Sequence, residues 1–177
     1  MSIFISILLI IAGIIILLLL VALFMKKHHY VNREIMINAP KQKVFDFLKL
    51  LGNQEKFNKY AQADSNRKWE HHGTDGTVGY IISWKGNKDA GEGEKEIIDI
   101  IDGKRIATEI RFVKPMKVTA SVIMETESLP GSQTRVNFIN AGKLNYPLNI
   151  MIPMAEKNFA RDIDQSLATL KALMEQS

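Results

Sequence analysis

The chain has 177 residues, with 23 lysines and arginines, 19 aspartates and glutamates, and a formal net charge of +4. It contains no cysteine, which excludes disulfides, thiolate nucleophiles and cysteine-based metal sites. Three basic residues, Lys26, Lys27 and Arg33, precede the first acidic residue, so the chain from Glu34 onward is nearly neutral. We therefore expect no nucleic-acid partner, because nucleic-acid-binding domains carry a basic face.

The N-terminal segment has the composition of a membrane span. The first 25 residues lack charged side chains, and only Ser6 and Gly13 interrupt the apolar run from Ile3 to Met25. As a helix this run would be about 35 Å long, enough to cross a hydrocarbon core of roughly 30 Å. A cleavable signal peptide would need basic residues before the run and a small-residue cleavage site after it. The sequence therefore predicts one transmembrane helix over residues 1–25, retained as a single-pass anchor.

Charge at the end of this helix predicts its orientation. Lys26 and Lys27 follow the apolar run directly, and no basic residue precedes it. Positive residues favour the cytoplasmic side, so the folded part is predicted to be cytoplasmic. We assign residues 26–30 to a basic juxtamembrane linker and residues 31–177 to one domain. The two adjacent histidines in the linker lack the spacing of a metal site, and we expect neither a metal nor a cofactor.

The predicted domain opens with a strand and a helix. Val31 to Ile37 alternates apolar and polar residues, as strands do. Pro40 suits the first turn of a helix, and apolar residues then recur at helical spacing to about Leu51. The following stretch "GNQEKFNKYAQ" is predicted to be a second short helix or a turn. Turn signals then separate short strands as far as Asn140, which predicts an antiparallel meander.

One predicted hairpin has a defined register. Asp-Gly at 102–103 is typical of a two-residue turn, and that turn would pair Glu94 with Arg111 and Ile98 with Ala107. The register separates a charged face from a mainly apolar face, and a slip of one residue would mix the two. By the same alternation, the neighbouring strands present to one face the following residues: Tyr80, Ile82 and Trp84; Val118, Ala120, Val122 and Met124; Val136, Phe138 and Asn140.

The C-terminal segment is predicted to be a long amphipathic helix. Pro153 should start this helix, or kink a longer one that begins near Pro147. A sheet with one apolar face needs a cover, and the helix is the obvious one. The predicted fold class is therefore α+β. The apolar stripe of the helix consists of Ala155, Phe159, Ile163, Leu167, Leu170 and Met174.

This order of elements resembles the SRPBCC superfamily, the START-like or polyketide-cyclase-like helix-grip domains. The stretch "INAPKQKVFDFL" (37–48) is similar to the family's first strand and helix, and "NFARDIDQSLATLKALMEQ" (158–176) to its ending. The resemblance covers about Val31 to Gln176. It implies a curved antiparallel sheet wrapped around the long C-terminal helix, with a hydrophobic cavity between them. Members bind lipids, sterols, polyketides or other apolar molecules, but they share no catalytic set, so no catalytic residue is assigned.

Methionines and aromatics on the predicted sheet face and helix can fill a core or line a pocket. The pattern alone favours a core, whereas the resemblance favours a cavity. The glutamates of the opposite sheet face are expected to be solvated rather than to form an acid/base pair. The candidate ligand-binding residues are Tyr80, Ile82, Trp84, Lys95, Ile97, Thr108, Ile110, Phe112, Phe138, Asn140, Tyr146, Met151, Met154 and Phe159.

Three functions are compatible with this sequence. The first is a membrane-anchored binding module for an apolar small molecule or lipid. The second is an enzyme of the polyketide cyclase or dehydratase type, which requires polar residues that converge inside the cavity. The third is a protein-interaction module resembling the co-chaperone branch, with the charged sheet face as its contact surface.

Overall fold

The computed structural model describes residues 3–62, 64, 66–88 and 90–176. Its helices and strands follow the predicted order, with a short 3-10 helix after the second α-helix and another before the third. In chain order the elements are α1 (Ile3–Phe24), β1 (His28–Ile37), α2 (Lys41–Lys49), the first 3-10 helix (Leu51–Lys56), β2 (Lys68–His72), β3 (Ile81–Lys85), β4 (Glu92–Ile101), β5 (Arg105–Lys114), β6 (Val118–Leu129), β7 (Gln133–Lys143), the second 3-10 helix (Leu148–Met151) and α3 (Ile152–Gln176).

The strands form one antiparallel sheet in the order β1-β7-β6-β5-β4-β3-β2. Strands β2 to β7 are a meander, as predicted, and β1 pairs with the outer edge of β7. The long helix α3 packs against the sheet, which confirms the α+β class. β1 begins at His28 and not at Val31, because its pairing with β7 continues to His28 opposite Lys143. Three residues assigned to the linker therefore belong to the sheet.

The β4–β5 hairpin has the predicted register at its centre and a different turn. Glu94 pairs with Arg111 as predicted, but Ile101 pairs with Arg105, so the turn has three residues rather than two. Gly103 takes the left-handed conformation (φ 63°) that such a turn requires. A bulge at Ile98 absorbs the extra residue, and the predicted pair with Ala107 does not form. The two departures offset each other, which explains why the register beyond the bulge is the predicted one.

The main core occupies one half of the concave sheet face. It joins α2 and the C-terminal half of α3 to β5, β6 and β7. The predicted apolar stripe of α3 is buried from Ile163 to Met174, whereas Ala155 and Phe159 are only partly buried. Pro153 lies in the first turn of α3, where a missing N–H leaves no helical hydrogen bond unmade. The fully buried large side chains of this core include Ile37, Phe45, Leu48, Met124, Leu167 and Leu170.

The helix α1 is the one helix in the described ranges that is long and apolar enough to cross a membrane. Its side chains are largely exposed, except for Ala22, which is buried against the domain. The buried Asn149 side chain donates hydrogen bonds through Nδ2 to the carbonyl oxygens of Ala22 (2.6 Å) and Met25 (3.1 Å). Asn149 thereby supplies donors to carbonyls at the end of the helix, where the Ala22 carbonyl otherwise accepts only a long bond from the Met25 N–H (3.4 Å). The C-terminal end of α1 is thus attached directly to the second 3-10 helix.

Candidate ligand-binding cavity

A cavity of about 460 Å³ separates the other half of the concave sheet face from the N-terminal half of α3. Its volume lies within the range of small-molecule sites, roughly 300–1,000 Å³. The walls come from the sheet, from α3, and from the first 3-10 helix with the loop that follows it. The lining residues are mostly apolar and include Leu51, Trp69, Ile82, Trp84, Ile110, Phe112, Val118, Ala120, Val122, Phe138, Ala155, Phe159 and Ile163.

Small residues on the sheet make room for this cavity. A continuous row of paired residues crosses the sheet from Lys95 through Ile110 and Ala120 to Gly142 and His29. A Cβ atom on Gly142 would lie 2.5 Å from Cε1 of His29, so the imidazole rests directly against the glycine backbone. This position therefore requires glycine if the ring is to stay where it is.

The same arrangement recurs on β4. A Cβ atom on Gly93 would lie 2.9 Å from the indole ring of Trp84, which crosses the neighbouring strand at this point. The indole also donates a hydrogen bond from Nε1 to the carbonyl oxygen of Ala90 (3.0 Å) and packs edge-on against Phe112. Trp84 thus forms a fixed aromatic wall rather than filling the space above the sheet.

A polar network holds the loop after the first 3-10 helix against α3. The Asp162 carboxylate accepts hydrogen bonds from Lys59 Nζ (2.8 Å) and the Tyr60 hydroxyl (3.0 Å). The Ser166 hydroxyl accepts one from the Lys59 backbone N–H (3.1 Å). Burial raises the pKa of Asp162, but hydrogen bonds from Lys59, Tyr60 and Arg161 outweigh it, so the pKa is lowered overall. The ionised carboxylate therefore fastens the loop that covers the cavity.

Lys95 is the principal charged group of the cavity wall. It lies on β4 opposite Ile82 on one side and Ile110 on the other, and its side chain is buried. Its Nζ donates a hydrogen bond to Oε1 of Gln54, a neutral partner on the first 3-10 helix. Burial lowers the pKa of Lys95 to about 7, because an apolar environment disfavours the ammonium ion.

Arg67 is a second buried cation beside the cavity. Its guanidinium lies over the rings of Trp69 (4.9 Å) and Trp84 (6.0 Å) and donates from Nη2 to the Tyr60 carbonyl oxygen (2.5 Å). Such stacking stabilises a guanidinium that has lost much of its water. Burial lowers the pKa of Arg67, and the negative charges of Asp64 and Glu55 partly oppose this.

His29 and Asn140 form the polar end of the cavity nearest to α1. His29 Nε2 and Asn140 Oδ1 are 2.8 Å apart, and the imidazole lies 5.3 Å from the ring of Phe159. His29 is buried, although the sequence placed it in an exposed linker. Along the sheet, His29 and Lys95 are four strand spacings apart, or about 19 Å.

The structure brings eight of the fourteen candidate ligand-binding residues to the cavity wall. These are Ile82, Trp84, Lys95, Ile110, Phe112, Phe138, Asn140 and Phe159. Three more are buried beside it: Tyr80 and Ile97 pack with Leu51, and Thr108 donates its hydroxyl to the Val122 carbonyl oxygen (3.1 Å). Tyr146, Met151 and Met154 lie on the surface instead, 41%, 41% and 59% exposed. Whether any of these residues contacts a ligand stays a prediction.

Sequence reasoning missed several wall residues. Gln54 comes from the stretch predicted only as a short helix or turn, and Arg67 from the region after it, where no individual strand was predicted; no periodicity pointed either side chain inward. His29 could have been found, because it continues the two-residue alternation of Val31, Ile35 and Ile37 toward the N-terminus. On α3, Ala155 belonged to the predicted apolar stripe, whereas Ser166 carried no signal of its own.

The glutamates of β4 and β5 lie on the outer sheet face, as expected. Glu94, Glu96 and Glu109 all accept hydrogen bonds from the Arg111 guanidinium, at 2.6, 2.7 and 2.6 Å. Arg111 thereby relieves the repulsion between Glu96 and Glu109, which are directly opposite each other. These contacts raise the pKa of Arg111.

No three metal-ligating side chains come together within the described residues.

Comparison with known proteins identifies the fold. No protein-family model and no curated protein matches this sequence. Solved structures do match. The Aha1 dimer from Colwellia psychrerythraea is 19% identical, with a TM-score of 0.55 over 82% of this chain and 96% of that one. Ara h 8.0201 is 14% identical, with a TM-score of 0.59 over 85% of this chain and 99% of that one. A hypothetical protein from Helicobacter pylori is 14% identical, with a TM-score of 0.64 over 82% of this chain and 88% of that one.

This chain has the helix-grip fold. The matches extend over 82–85% of this chain and 88–99% of the solved chains. At these identities the likeness establishes the helix-grip architecture alone. A function has to be argued from the cavity itself.

Proposed function

We propose that this chain is a membrane-anchored member of the SRPBCC superfamily that binds an apolar small molecule or lipid. The observation that carries the proposal is the cavity of about 460 Å³ between sheet and α3. Its wall is mostly apolar, with a few inward polar groups, which is the usual character of a ligand pocket. A packed core would have filled this space with side chains, as it does in the other half of the sheet.

The helix α1 supports the anchor. Its 22 residues span about 33 Å, and its apolar side chains have no cover in the protein apart from Ala22. Asn149 fastens the end of α1 to the domain, and Lys26 forms an ion pair with Glu156 (2.7 Å). If α1 were removed as a signal sequence, the buried Asn149 side chain would lose its acceptor at Ala22, so these contacts favour a retained helix. We assign residues 1–25 to the anchor, with the domain following it from β1 onward on the cytoplasmic side.

Exposed apolar side chains surround the attachment point. Tyr146, Leu148, Met151 and Met154 are each at least 40% exposed on the segment that holds Asn149. Aromatic and apolar side chains beside a membrane span commonly lie in the interfacial region. This arrangement would place the part of the cavity wall formed by Leu144 and Phe159 near the bilayer, a source of apolar ligand.

Native mass spectrometry tests the binding function. The protein is purified as a version that begins at Lys26, because a later start would remove His29 from β1 and from the cavity wall. We expect a discrete added mass that organic extraction releases as a lipid or other apolar molecule. A protein that carries no added mass, and that takes up none from a lipid extract, would contradict the proposal.

A second candidate function is an enzyme of the cyclase or dehydratase type, and Lys95 is the observation that favours it. A buried amine with a pKa near 7 can exchange a proton or condense with a carbonyl group at neutral pH. Incubation with aldehydes and ketones followed by borohydride would trap a carbonyl adduct as a mass increase on Lys95. The absence of any trapped adduct would count against carbonyl chemistry at this amine.

A further inference from the structure

The buried polar groups of the cavity wall have hydrogen-bond donors to spare. His29, Gln54, Arg67, Lys95 and Ser166 are the lining polar side chains that are at least nine-tenths buried. Ser166 is satisfied within the protein. Among the described residues, Gln54 Nε2, Arg67 Nε and His29 Nδ1 have no hydrogen-bond partner. The first two are N–H donors, and Lys95 uses one of its three donors on Gln54. A ligand that satisfies this wall must therefore bring acceptor atoms.

Three of these donors lie at one end of the cavity. Lys95 is opposite Ile82 in the β3–β4 pair, so Trp84, two residues further along β3, is its diagonal neighbour on the same face. The Arg67 guanidinium lies over the rings of Trp84 and Trp69. Gln54 reaches the same end through its hydrogen bond with Lys95. The two cations and the free amide N–H thus lie at the same end of the cavity, on the side of β3 and β4.

Among the described residues, the carboxylates near this end are Glu55 and Asp64, and their negative charges act on Arg67 rather than on Lys95. Lys95 forms no ion pair within the part of the chain that the structure describes, and Glu55 is the one carboxylate among the described lining residues. Glu55 is only partly buried. A buried cation without an anion destabilises a fold, so its presence favours an anion from outside. Because burial lowers the pKa of Lys95 to about 7, the amine takes up a proton readily when an acid enters.

We propose that the cavity takes an amphiphile with an acidic head, a carboxylate or a phosphate. The head oxygens accept hydrogen bonds from Lys95, Gln54 and Arg67, and the apolar chain lies along β5, β6 and α3. Charge-assisted hydrogen bonds of this kind are the strong ones in a dry site. An alcohol or a hydrocarbon would leave the cations unpaired. This inference rests on the proposed function, since it assigns the chemistry of the ligand in the same cavity.

Photolabelling of the full chain in phosphatidylcholine vesicles tests the head group. Four probes carry a diazirine on the same carbon of a twelve-carbon chain and end in a carboxylate, a phosphate, a hydroxyl or an ammonium group. Labelling of α1 reports how much of each probe enters the bilayer. Labelling of peptides that contain Ile110, Phe112 and Val118 reports occupancy of the cavity. We expect the carboxylate or the phosphate probe to label the cavity at least tenfold more than the alcohol, relative to α1.

Matched variants assign the effect to Lys95. Lys95→Met should lower cavity labelling by the acidic probe to the level of the alcohol and leave alcohol labelling unchanged. Lys85→Met removes an exposed lysine from β3 and should change neither. If Lys95→Met loses labelling by every probe, the cavity has collapsed in that variant. The ratio of acid to alcohol labelling in the unaltered chain then still decides whether the cavity prefers an acidic head.

The possible outcomes distinguish a failure of the acidic-head inference from a failure of the proposed ligand-binding function. Equal cavity labelling by acid and alcohol, or a preference for the ammonium probe, would overturn the acidic head while leaving a ligand-binding cavity in place. Labelling of α1 without cavity labelling by any probe would overturn the proposed function itself. The ratio of carboxylate to phosphate labelling shows whether a fatty acid or a phosphate lipid is the source of the head group.

Discussion

At the scale of single residues, Lys95 and Arg111 show two treatments of charge on one hairpin. Lysine is rarely buried without a carboxylate, yet Lys95 lies on the concave face with a neutral amide as its partner. Arg111, on the opposite face, holds three carboxylates and stays partly in solvent. Lys95 pairs with Ile110, and Arg111 is the next residue along β5, so the side chains of Lys95 and Arg111 lie on opposite faces of the sheet. Lys95 therefore destabilises the empty fold, whereas Arg111 stabilises it.

Lys95→Met should stabilise the protein most at neutral or lower pH. Lys95 has a pKa of about 7 in the fold and about 10.5 when unfolded, so the unfolded state binds more protons between these values. Stability of the natural chain therefore rises with pH across this window. The advantage of the variant, on the order of 5 kcal/mol at pH 6, should shrink toward pH 10.

Thermal unfolding at several pH values measures the stability difference between Lys95→Met and the natural chain. Tryptophan fluorescence can follow it, because both tryptophans, Trp69 and Trp84, line the cavity. Lys104→Met, which removes an exposed lysine from the β4–β5 turn, is the control and should show no such trend. An equal gain in stability for Lys95→Met at pH 6 and at pH 10 would contradict a lowered pKa for Lys95.

Arg111→Met should destabilise the fold by about 1–2 kcal/mol, because it leaves three neighbouring carboxylates without their counter-charge. Added salt should recover part of the loss by screening their repulsion. The double variant Glu96→Gln, Arg111→Met should recover part of it as well, as measured by denaturant midpoints. A loss as large in Arg135→Met, a surface arginine that contacts Glu127 and Glu34, would show that the three-carboxylate cluster has no special role.

At the scale of elements, the junction between α1 and the domain is built as a fixed joint. The Lys27 carbonyl oxygen accepts a hydrogen bond from the Leu144 N–H (2.9 Å), and the Glu156 carboxylate accepts one from the Tyr30 N–H (3.1 Å). With the Asn149 bonds to the end of α1, these contacts tie the junction both to the segment before α3 and to α3 itself. The lowered pKa of Glu156, caused chiefly by its hydrogen bond from Lys26, keeps that ion pair formed at neutral pH. We expect the orientation of α1 relative to the sheet to be restricted.

Asn149→Ala should loosen this junction with little effect on the rest of the fold. The Met25 carbonyl oxygen loses the Asn149 donor, and the Ala22 carbonyl oxygen keeps only a long bond from the Met25 N–H (3.4 Å), so the chain at Lys26 and Lys27 should open more often. Limited trypsin digestion of the protein in vesicles should cut there several-fold faster. Asn145→Ala removes an exposed asparagine side chain from the same segment and is the control. Equal cleavage of both variants and the natural chain would contradict a structural role for Asn149.

At the scale of the whole molecule, the sheet is divided between two tasks. One half packs α2 and the C-terminal half of α3 into a closed core, and the other half holds the cavity. The cavity half continues into β1, and β1 follows α1 after a few residues. This arrangement brings the proposed binding site close to the proposed bilayer surface.

The full chain should behave as a single-pass membrane protein with its domain in the cytoplasm. It should remain in the membrane pellet after alkaline carbonate extraction and keep its full intact mass, because α1 is long enough to span a bilayer. The chain lacks cysteine, so Lys88→Cys, on the exposed turn beside Asn87, gives one labelling site.

An impermeant thiol reagent should label this cysteine only after the cells are opened. Labelling in intact cells would overturn the cytoplasmic assignment, and a mass shortened at the N-terminus would overturn the retained anchor.

Much of the fold and part of the cavity could be predicted from local pattern. Two-residue alternation placed Ile82, Trp84 and Lys95 on the concave face, and three- and four-residue spacing placed the stripe of α3. The turn of the β4–β5 hairpin was predicted wrongly, because an Asp-Gly pair suits a two-residue turn and also a three-residue turn with glycine in the left-handed position. Tyr146, Met151 and Met154 were placed at the cavity on the strength of the family resemblance, and the structure puts them on the surface outside it.

The sequence by itself determined which elements form and which side of each strand or helix is apolar, because those properties depend on residues two to four positions apart. Only the tertiary structure decided which of the inward residues meet a partner and which meet empty space. Gln54, Arg67 and Lys95 come from three separate segments, and their convergence depends on how the first 3-10 helix and the following loop dock on β3 and β4. The cavity exists because small residues on the sheet and on α3 face each other across the fold, and no local pattern specifies that distance.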